Sequence, residues 1–231
     1  MPKQVVATAA KSSDNIADDI ASAIVAGQLP PGTKLKEEAL AKLYSVSRTK
    51  IRAALVMLAK DELIETAPDK GASVSRLSRR EAHEIFEVRR ILEVALIREF
   101  MQKAKSEDYR RVKAHMARER EALSAHDVRL RTKLLADFHS LLAEIVGNQV
   151  LLGILTKLTA RGALAAMRNQ TEHAAICSAD EHVEIIDAAQ AGDVERAVQL
   201  TLRHLHHVEE MVGNESEALR AGDLITALLA S

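Results

Sequence analysis

Apolar residues recur at helical spacing along most of the chain, and one short stretch near its first third breaks that rhythm. Ile16, Ile20, Ile24 and Val25 form a stripe that predicts a helix over 14–26, with Gly27 placed to close it and Pro30, Pro31 and Gly32 enforcing a turn. Residues 37–43 predict a short second helix with Leu40 and Leu43 inward. Ser47 then stands as the cap of a third helix from Arg48 to about Lys60, with Ile51, Leu55 and Leu58 on its inner face. Two strand candidates follow, 63–66 and 72–76, joined through Pro68, Asp69, Lys70 and Gly71. Three helices with a tight turn between the second and third, followed by a hairpin, predict a winged helix-turn-helix.

Past residue 80 the strand signals end. Helical stretches are predicted at about 81–103, 106–124, 127–146, 149–169, 179–190 and 194–212, with a further one at 216–230. Ser106 and Asp127 precede two of them, Ser178 and Glu181 match a capping box, Gly192 closes one helix and Asp193 can start the next. No internal repeat is evident, so these helices read as a bundle. The expected fold is mainly α, an N-terminal winged helix-turn-helix followed by an all-α bundle of six to seven helices. The expected division is a flexible arm over 1–13, the winged unit over 14–76, a linker over 77–80 and the helical domain over 81–231.

Composition narrows this picture. Apolar residues make up 47% of the 231, aromatics only 2%, and Trp is absent, so the cores must be aliphatic and helix-forming. No apolar run approaches the ~20 residues of a membrane span, and the N-terminus lacks the pattern of a secretion signal. A cytoplasmic protein is expected. Cys177 has no partner for an internal disulfide and reads as a small, half-buried apolar residue. The net charge of −1 is unevenly placed: residues 1–80 hold 13 basic against 9 acidic residues, and residues 81–231 hold 19 against 24. Only the first part suits a polyanion.

Residues 47–55 read SRTKIRAAL, within the run PPGTKLKEEALAKLYSVSRTKIRAALVMLAKDELIE over 30–65. Arg48 and Arg52 are four apart and share a helix face, from which guanidinium groups can pair with guanine edges. The run resembles the winged helix of the GntR family of bacterial regulators at Pro31, Gly32, Leu40, Ala41, Val46, Ser47, Arg48, Thr49, Arg52, Leu55, Leu58, Leu63 and Gly71. The resemblance implies that Arg48 and Arg52 read bases in operator DNA, that Ser47 and Thr49 hold phosphates, that Lys50 adds electrostatic contact, and that Gly71 lets the wing approach the minor groove. Four positions depart from the family pattern: Lys50 stands where proline is usual, Ala53 where glutamate is usual, Glu62 where glycine often falls, and Lys36 where a small capping residue is expected.

The remainder resembles the helical ligand-binding domain of the FadR subfamily, the FCD domain, through EVRRILE at 87–93, FHSLLAEIVGN at 138–148, EHVEIIDAAQAGDVERA at 181–197 and the HL pair at 204 and 205. That resemblance implies a divalent metal, zinc or nickel by the softness of its ligands, held by His139, His182 and His204. The family's fourth ligand, an aspartate, is Leu135 in this chain. Asp137, Ala143 and Glu144 do not replace it, the first and last because of their angular position on the helix and Ala143 for want of a ligand atom. A metal-free polar pocket and ordinary core histidines are the alternatives. His206 and His207 read as exposed neighbours.

Arg89 lies where the family has an inward arginine that clamps an acidic effector, and it can equally pair with Glu93 four residues on. Arg161 and Arg168 are further carboxylate partners. The function expected from these features is a dimeric repressor that binds a palindromic operator in double-stranded DNA and is switched by a small organic acid or related metabolite. A metal-dependent hydrolase built on three histidines is the rival, weakened by the lack of a general base, a nucleophile or a phosphate loop at any defined spacing.

Overall fold

The computed structural model describes residues 11–67, 71–166 and 171–212, together with Leu224 and Leu228. The first helix, α1 (Ser13–Val25), begins earlier than the apolar stripe suggested, because the Ser12 hydroxyl accepts a hydrogen bond from the Asn15 N–H at 3.1 Å. Ser12 and Ser13 are therefore structured, Lys11 pairs with Asp19 at 2.5 Å, and the rest of the expected arm, 1–10, lies outside the described residues. After the Pro30–Pro31–Gly32 turn the chain enters a strand, β1 (Lys34–Leu35), too short to leave a periodic signal. Gly32 has φ +87°, and a Cβ there would lie 2.3 Å from the Arg76 guanidinium. Both the turn and the passing arginine thus require glycine.

Helix α2 (Glu37–Tyr44) ends on left-handed Ser45, and α3 (Arg48–Lys60) is capped by Ser47, whose hydroxyl accepts from the Lys50 N–H at 3.3 Å. Two strands follow, β2 (Ile64–Ala67) and β3 (Gly71–Val74), and β3 is central in a three-stranded antiparallel sheet of order β1-β3-β2. Its register pairs Lys34 with Ser73 and Ile64 with Val74. The turn expected over Pro68, Asp69 and Lys70 lies outside the described residues. Ile16, Ile20, Ile24, Leu40, Ile51, Leu55 and Leu58 form one aliphatic core, as their spacing predicted, and Val74 of β3 joins it.

The helical part opens with α4 (Arg79–Lys103). Ser78 and Glu81 build a capping box in which the Glu81 carboxylate accepts from the Ser78 N–H at 2.9 Å, so the helix starts two residues before the expected position. Then come α5 (Ser106–Ser124), α6 (Val128–Val146), α7 (Gln149–Ala166), α8 (Glu172–Gln190) and α9 (Val194–Glu210). Lys105, not Ser106, is the residue that precedes and caps α5, and its N–H donates to the Asp108 carboxylate at 2.8 Å. The expected Ser178–Glu181 capping box is corrected: α8 begins at Glu172 under a Thr171 cap, and both residues lie inside it. The small residues Ala174, Ala175, Cys177 and Ala179 diluted the apolar signal at its start. Leu96, Phe100, Phe138, Leu142, Leu155, Ile185 and Ile186 form the second core.

The last expected helix, 216–230, lies outside the described residues apart from Leu224 and Leu228. Those two are helical and buried in the winged unit's core beside Leu164 of α7. The two parts of the chain therefore share packed surface. No helix among the described residues is long and apolar enough to cross a membrane.

Candidate DNA-reading face and candidate metal centre

On the winged unit the outer edge of α3 faces solvent. Arg48 and Arg52 project there with side chains 62% and 61% exposed, and Thr49 beside them is exposed. These arginines are not packed against the protein's own body. They line an open groove with Lys34, Lys36, Lys42, Val56 and Gly71, so the wing glycine and the helix arginines border one concavity. Gly71 has φ +70° and nothing near its absent side chain, which leaves its backbone open to approach. Ser47 spends its hydroxyl on the helix cap. Both arginines are tethered to Glu37, the first residue of α2, a partner that the helix periodicity gave no reason to single out.

Inside the bundle, His139 of α6, His182 of α8 and His204 of α9 are fully or almost fully buried, and their ligand atoms all lie within 4.8 Å of one another. Each ring is turned by a glutamate. Nδ1 of His139 meets Glu93 at 2.5 Å, Nδ1 of His182 meets both oxygens of Glu119 at 3.2 Å, and Nδ1 of His204 meets Glu181 at 2.8 Å. A carboxylate at Nδ1 places the proton on that nitrogen and leaves the Nε2 lone pair facing the centre. Phe138 stacks flat on His182 at 3.8 Å between ring centres and holds it in plane.

The consequence is electrostatic. Nε2 of His139 and Nε2 of His204 stand 3.3 Å apart with both protons committed elsewhere, and Nε2 of His182 is buried without a hydrogen-bond partner among the described residues. Three converging lone pairs repel unless a cation lies among them. Two nitrogens bound tetrahedrally at ~2.05 Å from zinc are themselves ~3.3 Å apart, so the 139–204 edge already has the separation such an ion requires. The donor set fits a divalent metal.

Burial and charge agree. Burial drives the pKa of His204 down to about 3 and lowers that of His139, keeping both as neutral ligands. Burial works to raise Glu93 and Glu119, but Arg89 and His139 hold the first at about 2, and His182 and His115 hold the second at about 2. These buried carboxylates are thus anionic, and a divalent ion among the histidines would offset them. Replacing Glu119 by glutamine leaves an acceptor for the His182 Nδ1–H but removes the negative charge that makes the ring a stronger ligand, and is expected to weaken zinc binding ~10- to 100-fold; competition against a fluorescent chelator measures it.

A pocket opens beside the histidines, lined by Arg89, Leu135, Thr159, Ala163, Ser178 and Met211 among others. Leu135 faces it where the family's aspartate would stand, while Asp137 pairs with Lys133 at 2.6 Å and Glu144 with Arg111 at 2.7 Å, both at the surface. Arg89 makes the expected pair with Glu93, its Nε donating at 2.7 Å, and the residue also lines the pocket. The Thr159 hydroxyl is buried there with no partner among the described residues.

Arg161 points to the winged unit instead, and Arg168 lies outside the described residues. His206 is exposed, and His207 is half-exposed and bonded to Glu181. Cys177 is exposed, contrary to the half-buried position expected, with its sulfur 3.7 Å from His173 Nε2. Glu119 and Glu181 escaped the sequence reading, since no motif marks a residue that acts through another's ring.

A winged helix whose third helix is open to solvent, joined to an all-helical domain with a buried histidine cluster, has the build of a bacterial transcriptional regulator. Profiles of two domain families match: "Bacterial regulatory proteins, gntR family" over residues 12–74 and "FCD domain" over 84–207. The chain belongs to the GntR family of regulators, in its FadR-type group with a C-terminal FCD domain.

It is 27% identical over 187 residues to the HTH-type transcriptional regulator YdhC of Bacillus subtilis (strain 168), covering 78% of this chain and 82% of that one. It is 24% identical over 185 residues to the HTH-type transcriptional repressor RspR of Escherichia coli (strain K12), covering 80% and 81%. Its fold matches the crystal structure of a GntR regulator from Rhodococcus sp. RHA1 with a TM-score of 0.77 at 23% identity, over 87% of this chain and 96% of that one. The matched domains are those of transcriptional regulators and not of an enzyme, so the hydrolase alternative has no support.

Proposed function

We propose that this protein is a cytoplasmic, metabolite-responsive repressor that binds a palindromic operator as a homodimer and is switched by a small carboxylate-bearing effector at a metal centre. The observation that carries the sensing part is the convergence of three Nε2 lone pairs, each backed by a carboxylate, at the wall of a pocket that Arg89 also lines. In this reading residues 14–76 contact DNA through Ser47, Arg48, Thr49, Lys50, Arg52 and Gly71, and residues 81–231 sense and dimerise. His139, His182 and His204 hold the ion. With Leu135 in the aspartate's place, coordination positions stay open for an effector carboxylate or water, and the free edge of Arg89 takes the effector's charge. That a relative is named a repressor supports the sign of regulation.

Switching requires that the pocket and the reading helix share an element, and α7 suits that task. Its Thr159, Ala163 and Ala166 line the pocket, while Ala160 and Leu164 pack into the core of the winged unit. Its Lys157 and Arg161 pair with Asp61 and Glu62, just past the end of α3, each at 2.7 Å. Glu62 has φ +57° where the family often has glycine, a conformation unfavourable by ~1–2 kcal/mol for a side chain. The departure exchanges an easy turn for an ion pair to the sensor domain.

An Asp61→Asn, Glu62→Gly double variant is accordingly expected to keep its operator affinity within about two-fold, since exposed pairs contribute ~1 kcal/mol or less and the glycine relieves strain. The effector's influence on that affinity should shrink two- to five-fold, read by fluorescence anisotropy with and without effector. The effector itself is sought by a thermal-shift screen of organic acids on metal-loaded protein, since a ligand selective for the folded state raises its melting temperature. A melting temperature unmoved by every acid that relieves operator binding would overturn the sensing proposal.

A further inference from the structure

Glu37 touches both arginines of the reading helix, and its placement is not explained by packing. It is the first residue of α2, and its side chain is 28% exposed in the groove between α3 and the wing. Both of its oxygens accept from Arg52 Nε at 2.9 Å, and one also accepts from Arg48 Nη2 at 3.1 Å. The Arg52 hydrogen bond, opposed by burial and aided by the Arg48 hydrogen bond, holds its pKa below the usual carboxylate range. The carboxylate is therefore an anion in a groove that also presents Lys34, Lys36, Lys42 and the two arginines, with Glu38 as its second acidic residue.

We infer that Glu37 is a specificity-determining positioning residue: it clamps Arg48 and Arg52 into one base-reading unit and withholds them from the phosphates of non-operator DNA. This rests on the proposal that α3 enters the major groove. Two exposed guanidiniums four residues apart repel each other, and without a shared anion they spread over rotamers that reach the backbone of any duplex. Engaging Arg52 by Nε fixes the plane of its guanidinium and leaves the terminal Nη pair, the edge that matches O6 and N7 of guanine. With Glu37 the cluster carries one net positive charge instead of two, so it displaces fewer counterions from a duplex that offers phosphates but not the right bases. Glu38, the next residue, lines the same groove and is exposed, but it carries no ion pair to either arginine.

The comparison is between Glu37→Gln and Glu38→Gln in the full-length protein, which change net charge equally. Binding is measured by anisotropy on a duplex selected from random DNA by the unaltered protein and on a scrambled duplex of equal length, across a salt series. Glu37→Gln is expected to bind the scrambled duplex several-fold more tightly and to lose about tenfold in the operator-to-scrambled ratio. Its salt slope on scrambled DNA should steepen by ~0.9 per subunit as one more phosphate is engaged. Glu38→Gln should shift both affinities together and leave the ratio unchanged.

A misfolded variant would weaken both duplexes instead, and Glu37→Asp, which keeps the charge, should recover part of the ratio. Equal behaviour of the two glutamine variants overturns the clamp. Retention of the ratio by an Arg48→Ala, Arg52→Ala double variant overturns instead the recognition-helix reading on which it stands.

Discussion

Arg52→Ala is expected to reduce operator affinity ~10- to 100-fold for each subunit engaged, while binding to scrambled DNA falls only as one positive charge is lost. The asymmetry follows from where the side chain stands. Arg52 is 61% exposed, its ion-pair partner among the described residues is Glu37, and Glu37 keeps Arg48 when Arg52 is gone, so the winged unit loses no packing. The melting temperature should stay within a degree or so, because substitutions on a solvated helix face move stability little. Lys50→Ala supplies the contrast: a side chain that meets phosphate should lower affinity on every duplex alike and flatten the salt slope by about one unit per subunit. If Arg52→Ala instead retained full discrimination between operator and scrambled DNA, the face assigned to base reading would be wrong.

The winged unit was legible in the sequence because its signals are local. Ser47 as a cap, the Pro30–Pro31–Gly32 turn and the apolar stripes at Ile16, Ile20 and Ile24 each specify backbone within a few residues, and each stands where expected. What escaped was either too short or too distant. Strand β1 has two residues, and the start of α8 is written in alanines and a serine. The histidines could be placed by resemblance, but the glutamates behind them come from α4, α5 and α8, and only folding brings Glu119 to His182 across 63 positions. Leu135 shows the reverse case: the departure from the family's aspartate could be read from the sequence, and the structure adds that this residue borders the pocket beside the three histidines.

Stripping metal from the protein is expected to lower its melting temperature by ~5–10 °C, with zinc or nickel restoring it. The magnitude follows from linkage: an ion present at ~100 times its dissociation constant contributes ~2.7 kcal/mol, and a chain of this size shifts by ~2–4 °C per kcal/mol. The site gives the effect its sign. Without the ion, three lone pairs converge, and while Arg89 offsets Glu93, the anionic Glu119 has only His182 and His115 beside it, so the metal-free bundle carries poorly compensated buried charge. His204→Ala removes one ligand and also the 3.3 Å contact between nitrogens, so it should bind no stoichiometric zinc and should not respond to chelator. Because truncating a buried ring can destabilise by itself, His204→Gln, which fills more of the space, serves beside it, and elemental analysis of metal per chain separates loss of the ion from loss of packing. A melting temperature indifferent to chelator and zinc, with no stoichiometric metal after reconstitution, would remove the ion from the switch and leave Arg89 and the Thr159 hydroxyl to hold an effector by hydrogen bonds alone.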